Sequence, residues 1–141
     1  MADFAKVTDL LGSELKVIQI FATIGLRRLL SFEQNPPIQA TVDRGLVPQL
    51  FNFAQRLDSP KLQFEAIWCL TNLASSESRF VLNLVENNAI PILIRVLAES
   101  SHIEVKEQAI WCLGNISGDN TRLRDTILEM GACAQIADLV D

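Results

Sequence analysis

One segment of this chain occurs twice. QFEAIWCLTNLAS at 63–75 returns as EQAIWCLGNISG at 107–118, so that Trp68 and Trp111 stand 43 positions apart, as do Asn72 and Asn115. The residues ahead of each copy repeat at the same interval: Gly45-Leu-Val-Pro48, then Asn88-Ala-Ile-Pro91, then Gly131-Ala-Cys-Ala134. A fainter copy, GLRRLLS at 25–31, aligns with AIWCLTN at 66–72 at an offset of 41, its following loop being two residues shorter. Self-similarity at this period means that each unit is too small to bury its own apolar face and must stack on its neighbours.

The units read as helical. Ile92, Leu93, Val96 and Leu97 make a short apolar face after Pro91, a residue suited to a first helical turn. Ile103, Val105, Ala109, Ile110, Leu113 and Ile116 recur mostly at steps of three and four, the mark of an amphipathic helix. Gly118-Asp119 ends that pattern, and a further helix is predicted through Leu123, Ile127 and Leu128. No alternating strand pattern occurs. An all-helical period of 40–47 residues is the signature of HEAT or armadillo solenoids. Three helices per unit favour the armadillo form over the two-helix HEAT form. The expected fold is an all-α, right-handed superhelical solenoid of about three repeats plus a partial one. It forms a single domain over 1–141, with a partial first repeat at 1–34, a second at 35–76, a third at 77–118 and a partial fourth at 119–141.

Composition removes several function classes. The longest apolar runs, such as IPILIRVLA at 90–98, are far shorter than the roughly 20 residues that span a bilayer. The first residues are too polar for a secretory signal, and an intracellular, soluble protein is expected. Cys69, Cys112 and Cys133 are widely spaced and His102 is the one histidine, so neither a metal site nor any other cofactor is expected. Cys69 and Cys112 each follow a tryptophan in an apolar pattern and read as buried small hydrophobes. There is no nucleophile elbow and no phosphate-binding glycine loop, and the chain is not expected to be an enzyme. Asn115-Ile116-Ser117 matches a glycosylation sequon by chance in a helix. Residues 1–63 hold seven Lys+Arg against six Asp+Glu, whereas residues 64–141 hold five against eleven. The acidic half repels phosphate, which argues against nucleic acid, and favours a basic partner.

The recurring Trp–Asn pair carries the candidate chemistry. Trp68 and Asn72 are four apart, hence on one helix face, as are Trp111 and Asn115. Stacked units would align these pairs along the concave side of a solenoid. A carboxamide has both a donor and an acceptor, so it bonds the backbone of an extended peptide whatever its side chains are. Indole rings wall in the methylene stem of a lysine or arginine, and the cation gains roughly 0.5–2 kcal/mol from the ring face. Asp119, one turn after Asn115, offers a carboxylate to a lysine tip. The competing reading, in which the tryptophans are core and the asparagines bond nearby loops, weighs about evenly on pattern alone.

FEAIWCLTNLAS, KEQAIWCLGNISGDN and RRLLSFEQNPPIQATVDRGLVP closely resemble the first armadillo repeats of importin-alpha, the adaptor family of nuclear import, ungapped from about Leu26 to Gly131. The resemblance implies a groove that holds a nuclear localisation signal, a short lysine- and arginine-rich run on a cargo protein, in extended form. It implies that Trp68, Asn72, Trp111 and Asn115 form the ladder, and that Asp119 pairs with the principal lysine. Gln108 would contact a flanking side chain, Ser31 would line the end of the groove, and Ala74 and Ser75 would offer backbone contacts. It also implies residence in cytoplasm and nucleus. Three positions depart from the family pattern: Ser76 replaces a glycine, Val81 a threonine whose hydroxyl helps receive the lysine, and Phe32 an arginine. Loss of that hydroxyl predicts a weakened pocket. The basic N-terminal arm through which the family engages importin-beta is not among these residues, so importin-beta is a partner only if such an arm exists. Ile127, Leu128, Ile136 and Leu139 lack a following repeat, which predicts self-association through that end. The alternative function is a general armadillo scaffold for another peptide or helix.

Overall fold

The computed structural model describes residues 2–140, and every regular element among them is a helix. α1 (Ala2–Leu10) and α2 (Lys16–Leu30) come first. Two groups of three follow: α3 (Ile38–Asp43), α4 (Leu46–Ala54) and α5 (Pro60–Ala74), then α6 (Ser78–Glu86), α7 (Ala89–Glu99) and α8 (Ile103–Ser117). α9 (Thr121–Glu129) and α10 (Ala132–Val140) take up the positions of α6 and α7 once more. The all-helical solenoid expected from the repeat is the architecture observed.

The turn from first to second helix explains one column of the repeat. Gly45, Asn88 and Gly131, each 43 residues from the next, have φ of +70°, +66° and +87°. A β-carbon is strained in that left-handed conformation, and glycine and asparagine are the residues that accept it. Nothing lies within 4 Å of where a Cβ on Gly45 would stand, so Gly45→Ala meets only the backbone penalty. That substitution is expected to lower stability by about 1 kcal/mol. The check is a urea titration, in which the midpoint falls while the slope is unchanged.

The third helices line the cleft described below, and the start of α5 is defined by a cap. α5 begins with Pro60 behind Ser59, whose Oγ accepts from the Leu62 backbone N–H at 3.4 Å. α5 then lies between α2 and α8 and packs along both, while α4 and α7 support it and α8 from behind. Leu62, Ile67, Leu70 and Leu73 of α5 are fully buried, with Leu26 from α2 and Ile116 from α8 in the same core. Each such side chain contributes about 1.5–3 kcal/mol on leaving water. The layer of α2, α5 and α8 is thereby held as a rigid rack, open on its far side.

Cys69 and Cys112 are fully buried, as expected. Burial pushes the Cys112 thiol up to about 12, and that of Cys69 higher still. Both stay protonated and unreactive. No single helix among the described residues is long and apolar enough to cross a bilayer.

Candidate functional site

Trp68, Thr71, Asn72 and Ser75 of the α5 side meet Gln108, Trp111 and Asn115 of α8 around one open cleft of about 120 Å³. Trp111 is 65% exposed. Trp68 is half-buried, its ring edge-on to Phe64 with centroids 5.7 Å apart. Both rings thus line the cleft, and neither is among the buried core residues. This follows from helix geometry. Trp68, Thr71, Asn72 and Ser75 share a face at three- and four-residue steps, and the opposite face of α5 is taken by Leu62, Ile67, Leu70 and Leu73.

A second set of bonds aims the carboxamides. Asn72 Nδ2 donates to Ser31 Oγ at 3.1 Å, and that hydroxyl donates to the Arg27 carbonyl at 2.8 Å. Asn115 Nδ2 donates to the Thr71 carbonyl at 3.2 Å. Each amide thus spends one hydrogen on the preceding repeat, and its oxygen and other N–H make no further bond among the described residues. Gln108 is buried and donates from Nε2 to Thr71 Oγ1 at 3.0 Å. Thr71 in turn donates to the Ile67 carbonyl at 2.8 Å, making it the buried hub behind the cleft.

Trp68 is not a free wall on both faces. The Arg27 guanidinium, from α2, sits 4.1 Å from the centre of its ring. Arg27 is anchored by Glu65, whose carboxylate receives Arg27 Nε at 2.9 Å, Arg27 Nη2 at 3.4 Å and Lys61 Nζ at 3.0 Å. The Glu65 side chain is only 1% exposed. Burial alone would push its carboxyl up, but the bonds and charges of Arg27 and Lys61 outweigh it and hold the carboxyl below its ordinary value. The face of Trp68 toward α2 is therefore closed by the chain's own cation, and the open slot lies between Trp68 and Trp111. Arg27 stands 41 before Trp68, in the tryptophan column of the weak first repeat. The repeat alignment contained this residue, but a pairing of Arg27 with Trp68 and Glu65 has no local sequence pattern.

Asp119 stands after the end of α8, outside the Trp–Asn cleft proper, and borders a second cavity of about 360 Å³ with Asn120, Arg122 and Leu123. Ser78 Oγ donates to its Oδ1 at 2.6 Å, and Asn120 Nδ2 to its Oδ2 at 3.1 Å. Ser31 reaches the cleft through Asn72. Ser75 lines it, and its hydroxyl donates to the Asn72 carbonyl at 2.8 Å. The Ala74 side chain is buried. Val81 is 1% exposed and belongs to the core, while Phe32 is 55% exposed beside Ser31. The helix ends differ in charge. α5 and α8 have no basic residue in their last turns, whereas α2 ends with Arg27 and Arg28. The partial negative charge of a helix C-terminus is thus left open at α5 and α8 and is offset at α2.

Residues 34–75 and 78–118 match the armadillo/beta-catenin-like repeat. The chain belongs to the armadillo repeat family. Within that family it is 52% identical to importin subunit alpha-3 of Arabidopsis thaliana over 114 residues, 81% of this chain and 21% of that protein. It is 44% identical to importin subunit alpha-1b of Oryza sativa subsp. japonica over 119 residues, 84% of this chain and 22% of that protein. The chain therefore spans between 21% and 22% of the length of these two relatives. The resemblance to importin-alpha seen in the repeat helices holds across this stretch. Among solved structures, an engineered protein aligns with a TM-score of 0.85 at 26% identity, covering 99% of this chain and 56% of that one. A designed armadillo repeat protein in complex with the peptide (KR)4 aligns with a TM-score of 0.85 at 24% identity, covering 98% and 56%.

Proposed function

We propose that this chain holds an extended lysine-rich peptide across the Trp68–Trp111 cleft, and that the peptide is a nuclear localisation signal of a cargo protein. The observation that carries the reading is the convergence of two indoles and two aimed carboxamides on one cleft. The free oxygen and N–H of Asn72 and Asn115 would bond the peptide backbone and keep it straight. A lysine stem would lie in the slot between the indoles, where a partly desolvated cation gains roughly 0.5–2 kcal/mol from a ring face. The ammonium of the neighbouring lysine would reach Asp119 at the acidic end of α8. The closed face of Trp68 and the two arginines ending α2 set the limit of the basic run near Ser31. The similarity to importin alpha subunits supports nuclear import as the process and the cytoplasm and nucleus as its place. Engagement of importin-beta would require a basic arm, which these residues do not contain.

The test is fluorescence anisotropy with a labelled lysine-rich peptide. Binding is expected to weaken as salt is added and to fail when one central lysine of the peptide becomes alanine. The double variant Asn72→Ala, Asn115→Ala is expected to lose about 1–3 kcal/mol of affinity, the worth of two backbone bonds, with its salt dependence intact. A scaffold that used another surface would be indifferent to both changes.

Exposed apolar side chains at α9 support a further proposal. Leu128 and Met130 are 50% and 44% exposed on and after α9. A polypeptide of these 141 residues is expected to self-associate through α9 and α10. Light scattering reads this as a mass that rises with concentration; a clean monomer over a wide range contradicts it.

A further inference from the structure

We infer that Ser78 supplies the hydroxyl half of a two-oxygen lysine receptor with Asp119, an assignment that rests on the peptide-binding reading above. The resemblance to importin-alpha implies position 81 for this hydroxyl, where Val81 has none and is 1% exposed in the core. The structure offers another. Ser78 is the first residue of α6, exposed, with its Oγ 2.6 Å from Asp119 Oδ1. A serine hydroxyl has one hydrogen and two lone pairs. Its hydrogen is committed to Asp119, so both lone pairs stay open to a donor beside the carboxylate. An incoming ammonium, with three freely placed donors, can bond Ser78 Oγ and Asp119 together.

The arrangement also discriminates between cations. Asp119 Oδ1 is held by Ser78 and Oδ2 by Asn120 Nδ2 at 3.1 Å. The flat guanidinium fork of arginine binds best when it takes both carboxylate oxygens side by side. Here a fork would have to share both oxygens with Ser78 and Asn120, each of which takes up one lone pair, whereas an ammonium needs only one remaining lone pair beside the Ser78 Oγ. The carboxylate is fixed before the ligand arrives, so little is lost in ordering it. Ser78 opens one repeat and Asp119 follows the last helix of the same repeat, so the receptor exists only when that repeat is folded. A purely structural staple between α6 and the end of α8 is the competing role. It would affect stability without affecting the choice of cation.

The test compares two labelled peptides that differ only in lysine or arginine at the central position. Each is titrated into the unaltered chain, Ser78→Ala and Ser78→Thr, with a urea titration of each protein alongside. The unaltered chain is expected to prefer lysine. Ser78→Ala is expected to lose about tenfold in affinity for the lysine peptide, one charge-assisted bond, and little for the arginine peptide, so the preference collapses. Ser78→Thr keeps the hydroxyl and the preference. A lysine preference that survives Ser78→Ala unchanged overturns the assignment while leaving peptide binding intact. An unaltered chain that binds neither peptide overturns both.

Discussion

Replacing Arg27 with alanine is expected to destabilise the fold by about 2–3 kcal/mol, the largest stability effect of any single exposed or half-buried cation in the chain. Three losses coincide. Glu65, 1% exposed, keeps only Lys61 at 3.0 Å as a charged partner. The bidentate contact at 2.9 and 3.4 Å disappears. The 4.1 Å stack on Trp68 disappears as well, leaving the indole free to leave its rotamer. The full cost of breaking a buried pair, about 3–5 kcal/mol, is not reached because Lys61 remains. Arg27→Lys is expected to recover only part, since an ammonium neither forks onto the carboxylate nor lies flat on the ring.

The same cluster fixes a pH dependence. The folded-state carboxyl of Glu65 lies below its ordinary value of 4.5. The unfolded chain therefore binds the proton first as the pH falls. The contribution of Glu65 is fully present above 4.5 and is lost as the pH drops through the lower folded value. In Arg27→Ala the carboxyl rises, so the loss begins at higher pH. Urea midpoints measured between neutral pH and pH 3 on both proteins read the difference; parallel curves for the two would contradict the assignment.

Asp119→Ala is expected to weaken lysine-peptide binding by about 1.5–3 kcal/mol, ten- to more than a hundredfold, the worth of a charge-assisted hydrogen bond. Stability should change little, because Asp119 is partly exposed and its partners Ser78 and Asn120 are themselves open to water. Asp119→Asn separates charge from shape. It keeps an oxygen for the Ser78 hydroxyl but no charge, so affinity falls and the salt dependence becomes shallower. Calorimetric titration of the peptide into the three proteins at two salt concentrations checks both statements. Equal affinity for all three would remove Asp119 from the site.

Much of this was legible in the chain because a repeat makes every feature testable against its own copy. The 43-residue period gave the helix order, and it aligned Trp68 with Trp111 and Asn72 with Asn115, which share the cleft. It also marked Gly45, Asn88 and Gly131 as equivalent, though their left-handed conformation required the backbone. The contacts that were not legible join residues far apart in the sequence. Arg27 on Trp68 and Glu65, Ser78 on Asp119, and Thr71 beneath Gln108 and Asn115 join residues about 40 positions apart through side-chain reach. No periodicity encodes such reach. Apolar patterning misled at one point: Ile103, counted in the stripe of α8, is 46% exposed because it precedes Val105, the first residue of that helix to enter the core.

The chain has two tryptophans, both lining the cleft, so its intrinsic fluorescence watches the proposed site alone. A lysine-rich peptide free of aromatic residues, titrated while tryptophan emission is recorded, is expected to shift and saturate the emission at the affinity found by anisotropy. Most of the change should come from Trp111, and Trp111→Phe should abolish most of the signal. Saturable binding by anisotropy with an unchanged emission spectrum would mean that the peptide sits elsewhere, and would contradict the groove.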